Sequence, residues 1–370
     1  MTGLNTTGRV VVVITTALIL MLGIAGCGDD NGTDGLAGNS ENEETKNQNS
    51  ENLDSGENHQ NPGTNNSTPQ EPPTFGFDEL VYQSGSNQLT ALQIIGPHSN
   101  EPSVSRRVLY EHPTEIHSFR MLRDRTGIII TARVPDPDYA THHTHAAYFV
   151  DAAGAGTHEL IPPLEVDTET ATLRVEDSTG GLGGRIWFSI HQSGMNASGN
   201  MVSSQMPMAV DQLESLEVYP LGCSSNSPIR SHFDGQQVAL VERLCGHSYD
   251  EAYVTTFQTP ELEGRNVVAE EGDLGLSYNF ARDMEWLTEN MLLVVVPGGN
   301  VALFDVTGAE EPMLWFEDAF SYVALAPDRS VFVGRQGSEL YMVSLAVLLD
   351  TGEASWWVLA DDVEDAPPSF

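Results

Sequence analysis

The chain has 370 residues and carries 53 Asp and Glu against 16 Lys and Arg, a formal net charge of −37. Such an acidic excess excludes gripping a nucleic-acid backbone by counterion release and argues against lying on an anionic lipid surface. Lys46 is the single lysine, which removes a Walker-type phosphate loop and a Schiff-base lysine, while 40% hydrophobic residues supply a folded core but not a multi-span membrane protein.

Residues 1–26 read as a secretory signal. Arg9 precedes an apolar run from Val10 to Ile24, too short for a comfortable membrane span and the right length for a signal core. The run ends in Ile24-Ala25-Gly26-Cys27. This segment resembles the bacterial lipobox: an aliphatic residue, two small residues, then the cysteine that receives the lipid. The resemblance implies lipidation at Cys27, palmitate-type acyl chains as the membrane anchor, and cleavage before it. Residue +2 is Gly28 rather than the aspartate of inner-membrane retention, which favours the outer membrane, on its periplasmic or surface side.

From Cys27 to Thr74 the chain reads as a disordered tether. Residues 28–74 hold ten Asn, ten Asp and Glu, and almost no large apolar side chain. Such a segment cannot bury enough surface to offset its chain entropy. As a flexible coil it reaches about 35–40 Å, enough to lift a domain clear of lipid.

Residues 75–370 read as one all-β domain of short strands separated by Gly, Pro, Asp and Asn turns. They divide into six units of roughly 40–50 residues, the length of a propeller blade. Unit one offers ELVYQ (79–83), LTALQII (89–95) and RRVLYEH (106–112), with no obvious innermost strand. That strand comes from 75–78 or from the C-terminal tail, whose prolines make it a poor strand. Unit two starts at IHSFRML (116–122), unit three at ATLRVE (171–176) and unit four at SPIRSHF (227–233). Unit five starts at ARDMEWL (281–287) and unit six at FSYVALA (320–326). Leu340 to Leu349 is the best helix candidate and is equally readable as strand.

Two turns recur. Polar turns such as RDRTG (123–127), FDGQ (233–236) and PDRS (327–330) join the first and second strands of a unit. Hairpins such as FDVTGAEEP (304–312) join the third and fourth. These resemble the repeats of TolB-like and WD-like bacterial propellers, with their Ser-Pro-Asp-Gly turn and aromatic-x-x-Asp-x-x-Gly hairpin. The resemblance implies a β-propeller, against the alternative of a β-sandwich pair, and the repeat length favours six four-stranded blades over seven.

Two further cysteines, Cys223 and Cys245, make an even pair in an exported chain, and a disulfide between them is expected. Both fall in loops on one propeller face. Long loops at 135–144, 192–205 and 245–250 share that face and suggest a contact surface. They or their edges carry Asp136, Asp138, His142, His143, His145, His191 and His247. These residues admit two readings: a site for a metal or an acidic ligand, or polar loop residues without such a role. The His-His-x-His spacing fits no standard zinc motif, and alternation puts His143 and His145 on one side with His142 opposite. Imidazoles on so acidic a surface should protonate readily, changing binding between about pH 5.5 and 7.5.

Catalytic motifs are missing. There is no Gly-x-Ser-x-Gly elbow, and His158-Glu159 lacks a second histidine four residues on. No cofactor is implied. The Trp356-Trp357 pair reads as packing of the last blade rather than a sugar platform. The expected function is a lipid-anchored envelope propeller that binds an envelope protein or glycan without catalysis. The alternative is a propeller enzyme, a polysaccharide lyase or hydrolase, using the histidine face and a metal. The domain holds 43 acids and 14 Arg spread over all units. This resembles adaptation to salty water, where self-repulsion is screened. Stability measured by urea unfolding is therefore expected to be higher in molar salt than in dilute buffer; the reverse order would remove this reading.

Overall fold

In the computed structural model the chain is almost entirely β. The structure describes residues 79–370 except 100–101, 136–142, 152–155, 165–169, 179–184, 196–197, 200, 212–214, 219–227, 244–251, 259–262, 271–280, 297, 318–319 and 352–353. Cys27, the signal and tether segments, Cys223 and Cys245 lie outside the described residues, as do Asp136, Asp138, His142 and His247.

Six antiparallel sheets follow one another along the chain and form a six-bladed β-propeller. Blade one holds β1 (Glu79–Gly85), β2 (Gln88–Ile95) and β3 (Ser103–Glu111). Blade two holds β4 (Ile116–Met121), β5 (Gly127–Pro135), β6 (His143–Asp151) and β7 (Thr157–Ile161). Blade three holds β8 (Thr170–Ser178), β9 (Arg185–Met195), β10 (Met201–Asp211) and β11 (Ser215–Val218). Blade four holds β12 (Ile229–Ser231), β13 (Gln237–Arg243), β14 (Ala252–Gln258) and β15 (Glu263–Glu270). Blade five holds β16 (Asp283–Trp286), β17 (Met291–Val295), β18 (Val301–Asp305) and β19 (Met313–Phe316). Blade six holds β20 (Tyr322–Leu325), β21 (Val331–Gln336), β22 (Glu339–Ser344) and β23 (Trp357–Ala360), with α1 (Leu345–Thr351) between the last two.

The second strands are apolar on both faces because each blade is covered on both sides. In β17, Leu292 and Val294 pack toward blade four with Val241 and Val254, while Met291, Leu293 and Val295 pack toward blade six with Phe332 and Val343. The period-2 alternation of a strand thus divides one apolar run between two interfaces. Trp356 closes the second of these interfaces, with its ring 5.2 Å from Phe316 and 5.3 Å from Phe320.

The ring closes where blade six meets blade one, with Val333, Leu340 and Met342 packed on Leu80, Tyr82 and Leu92. The tail supplies the innermost position of blade one. Val81 N donates to Ser369 O at 2.8 Å, and Ser369 N donates back to Val81 O at 2.9 Å. Pro367 and Pro368 are tolerated because this strand has an edge facing the axis, where no ladder N–H is needed.

The turns between first and second strands repeat one device. Asp124, Asp234 and Asp328 each accept a hydrogen bond from the backbone N–H two residues on, at 3.0, 2.8 and 2.9 Å. The residue between has positive φ: Arg125 at 60°, Gly235 at 69° and Arg329 at 57°. At the other kind of hairpin, Asp305 accepts from the N–H groups of Thr307, Ala309 and Glu310, and Gly308 supplies the left-handed residue at φ 72°.

Two expectations change. The segment 192–205 is not a long loop: β9 and β10 pair out to Met195 and Met201, leaving a short turn. Its Ser, Gly and Asn residues read as loop, but a ladder already paired on both sides propagates through backbone bonds, without regard to side-chain polarity. The segment Leu340 to Leu349 is strand as far as Ser344 and helix from Leu345.

Candidate functional site

The innermost strands carry charges where a core strand would be apolar. Arg120 stands on β4, Glu176 and Asp177 on β8, Arg230 on β12, and Asp283 and Glu285 on β16. Side chains from different blades converge at the axis, so these residues meet although they are distant in sequence.

Arg230 and Asp283 form an ion pair with both side chains almost fully buried, 2% and 1% exposed. Arg230 also donates to the carbonyls of Glu176 and Ile229, and Trp286 Nε1 donates to Arg230 O at 3.2 Å. The remaining oxygen of Asp283 accepts Val323 N at 2.9 Å, so one carboxylate ties together blades four, five and six. Arg120 donates to Glu176 O at 2.9 Å and to Pro368 O of the tail at 3.2 Å. Burial and then Arg230 lower the Arg120 guanidinium to about 10, still a cation at neutral pH. For Arg230, burial works against the charge, but the neighbouring carboxylates, Asp283 foremost, outweigh it and raise its pKa. Burial pushes the Glu285 carboxyl above its ordinary range, against the pull of Arg123 and Arg230.

Above this buried layer lies a pocket of about 240 Å³. Arg120, Arg123, Arg230 and Arg329 reach its lining, opposed by Asp177 and Glu285. Its apolar wall includes Phe233, Trp286 and Leu325. Arg123 donates to Ser231 O at 2.6 Å and lies 4.0 Å from Asp177. Three first-strand turns therefore form its collar, from blades two, four and six, with Arg329 Cζ 3.8 Å and Arg123 Cζ 5.7 Å from the centroid of Phe233.

The histidines lie at the other end of the strands. His143 and His145 share one side of β6, with ring centroids 5.7 Å apart. His117, at the start of β4, joins them with its ring 4.3 Å from His145. His191 sits half-buried at the upper end of β9, opposite Thr172 and Gln205. His143 Nδ1 accepts from Arg133 at 3.0 Å, and His145 Nδ1 accepts from Leu173 N at 3.2 Å. Among the described residues no group of three His, Cys, Asp or Glu is arranged to hold a metal ion.

At His145 the expectation of easy protonation does not hold. Burial, then the neighbouring His117, lowers His145 to about 3, and burial, then Arg174, lowers His117 to about 4, although His117 keeps a solvent-exposed edge. The surface charge is distant and screened, whereas desolvation and the adjacent cations act at contact range. A depressed histidine pKa means the unfolded chain binds the proton first, so stability falls as pH drops below about 6.5 toward 3. His145→Asn, which keeps an acceptor for Leu173 N, is expected to flatten this acid limb by up to about 1.4 kcal/mol per pH unit. Urea midpoints from pH 7 to 4 check this; an unchanged slope would refute it.

No family model matches the chain, and no curated protein is similar to it in sequence. Solved structures resemble it in fold. A puromycin-hydrolysing peptidase of Mycobacterium tuberculosis is 13% identical with a TM-score of 0.45, over 80% of this chain and 50% of that one. A gluconolactonase from Xanthomonas campestris is 13% identical with a TM-score of 0.46, over 72% of this chain and 82% of that one. The WD40 propeller domain of Doa1 is 10% identical with a TM-score of 0.39, over 78% and 84%. The match thus spans half the length of the peptidase, and at these identities the likeness concerns the propeller fold alone.

Proposed function

We propose that this chain is a lipid-anchored propeller of the cell envelope that binds a ligand or partner and performs no chemistry on it. Cys27 carries the anchor, residues 28–74 form the tether, and the outer membrane is the proposed site. An envelope protein or glycan is the proposed partner. The observation that carries the binding reading is the composition of the axial pocket. Its cations are arginines, which stay protonated and bind rather than shuttle protons. The carboxylate beneath it, Asp283, is held by Arg230 and by the N–H groups of Met284 and Val323, which leaves it no role as a base.

Membrane fractionation of the full-length chain and Cys27→Ser tests the anchor: the variant should move to the soluble fraction. Affinity capture from envelope extracts, with the full domain and with the 135–145 loop removed, tests the binding module. A captured envelope component returned chemically unchanged is the expected result. A captured component that is cleaved or released as product would overturn the reading in favour of a propeller enzyme.

A further inference from the structure

The collar of the axial pocket contains one residue whose conformation and chemistry are both unfavourable unless something binds it. Arg329 sits at φ 57°, in the turn position that blade four fills with Gly235. The left-handed region disfavours any residue with a Cβ, and strain of this kind gathers at sites of function. The side chain is nonetheless held over the pocket, half-buried and stacked on Phe233. Among the described residues its guanidinium makes no hydrogen bond or ion pair; Glu289 and Glu285 act on it only at longer range.

Arg125, the other non-glycine residue at positive φ, differs in this respect. It is buried and donates to Glu79 O at 3.0 Å, tying blade two to blade one. Its strain supports a structural bond. Arg329 has no such bond, and its planar donor fork faces a cavity that already contains the edges of Arg120, Arg123 and Arg230. Of the four arginines, Arg120 and Arg230 face buried Asp283 and Arg123 faces Asp177, which leaves Arg329 as the guanidinium at this mouth with no carboxylate partner among the described residues. A cation without a partner in a low-dielectric cleft attracts an anion. Glu285, whose carboxyl burial pushes above its ordinary range, opposes this cation less than a fully ionised carboxylate would.

We propose that the axial pocket binds a small organic carboxylate, with Arg329 and Arg123 gripping the carboxylate and Phe233, Leu325 and Trp286 covering its apolar body. The forked guanidinium matches a carboxylate bidentately. The apolar wall favours a carboxylate with a hydrocarbon or aromatic body over a bare inorganic anion. The volume, about 240 Å³, lies below the usual range for drug-sized ligands, so the ligand is small. The site deepens the binding-module reading and rests on it.

The test uses benzoate as the probe, with inorganic phosphate and equal ionic strength of sodium chloride as the other arms, on the full-length chain by titration calorimetry. Saturable benzoate binding is expected, and it should weaken at least tenfold in Arg329→Gly. The glycine variant should also unfold at a temperature equal to or above the parent, since it relieves the turn; weaker binding then cannot be ascribed to misfolding. Phe233→Leu should weaken benzoate while leaving the fold intact. Benzoate binding that is absent, or unchanged by Arg329→Gly, overturns the site. Phosphate binding more tightly than benzoate overturns the carboxylate class. Chemical conversion of a bound carboxylate would keep the site and overturn the binding-module reading, so the two failures are distinct.

Discussion

Asp283→Ala is expected to destabilise the domain by about 3–5 kcal/mol, because it strands a buried cation. Arg230 is 2% exposed and Asp283 is its ion-pair partner. Removing the carboxylate leaves a guanidinium in low dielectric, with Arg120 close enough to repel it. It also removes the acceptor for Val323 N, a buried donor whose desolvation alone costs about 1–3 kcal/mol when unmet. Asp283→Asn separates the two contributions: its amide oxygen still accepts from Val323 or Met284, but the charge is gone. The expected order in urea unfolding is parent, then Asp283→Asn, then Asp283→Ala. An alanine variant within about 1 kcal/mol of the parent would show that water or a rearranged side chain compensates Arg230, against this account of the axis.

The same residue illustrates what the sequence conceals. Asp283 lies in ARDMEWL and Arg230 in SPIRSHF, segments legible as strands from their apolar neighbours. One charge in an apolar strand is visible in sequence, but its partner stands in another blade, and convergence at the axis is a tertiary property. The signal that was available is a charge in the innermost strand of unit after unit, at Arg120, Glu176, Arg230 and Asp283. Blade identity was more legible, because second strands are buried on both faces and carry long apolar runs, unbroken in Met291–Val295. The polar arm of β9 and β10 was not, since its pairing depends on a ladder rather than on side-chain pattern.

At the histidine face the alternation rule placed His143 and His145 together, and the rings are neighbours. It had no means of adding His117, which comes from a different strand of the same blade. It also misjudged the protonation of His145, because burial is not written in a local polar sequence. For the collar, the informative mark was Arg in the third place of PDRS, where the turn favours Gly. The mark takes its meaning from the packing of Arg329 on Phe233 of blade four.

Deleting residues 364–370 is expected to have a larger effect than any single substitution, on the order of 5 kcal/mol or more, comparable to the whole stability of many domains. The deletion removes two backbone hydrogen bonds at Val81 and a third from Glu364 N to Gln83 O, each worth about 1 kcal/mol. It uncovers apolar surface packed against Ala366 in the interface of blades one and two. It leaves Met121 N without Ser369 Oγ and Arg120 without Pro368 O, two buried donors at about 1–3 kcal/mol each. It also exposes β1 as an unpaired edge, a template for strand addition from a second molecule. Loss of the cooperative thermal transition, with association on size-exclusion chromatography, is therefore the expected outcome. Ser369→Pro is the milder companion: it removes the donor to Val81 O and the Oγ acceptor of Met121 N, keeps the rest of the tail, and should cost about 2–4 kcal/mol. A truncated domain that stays monomeric and melts like the parent would mean that blade packing alone, through Leu80, Tyr82, Val333 and Met342, holds the ring shut.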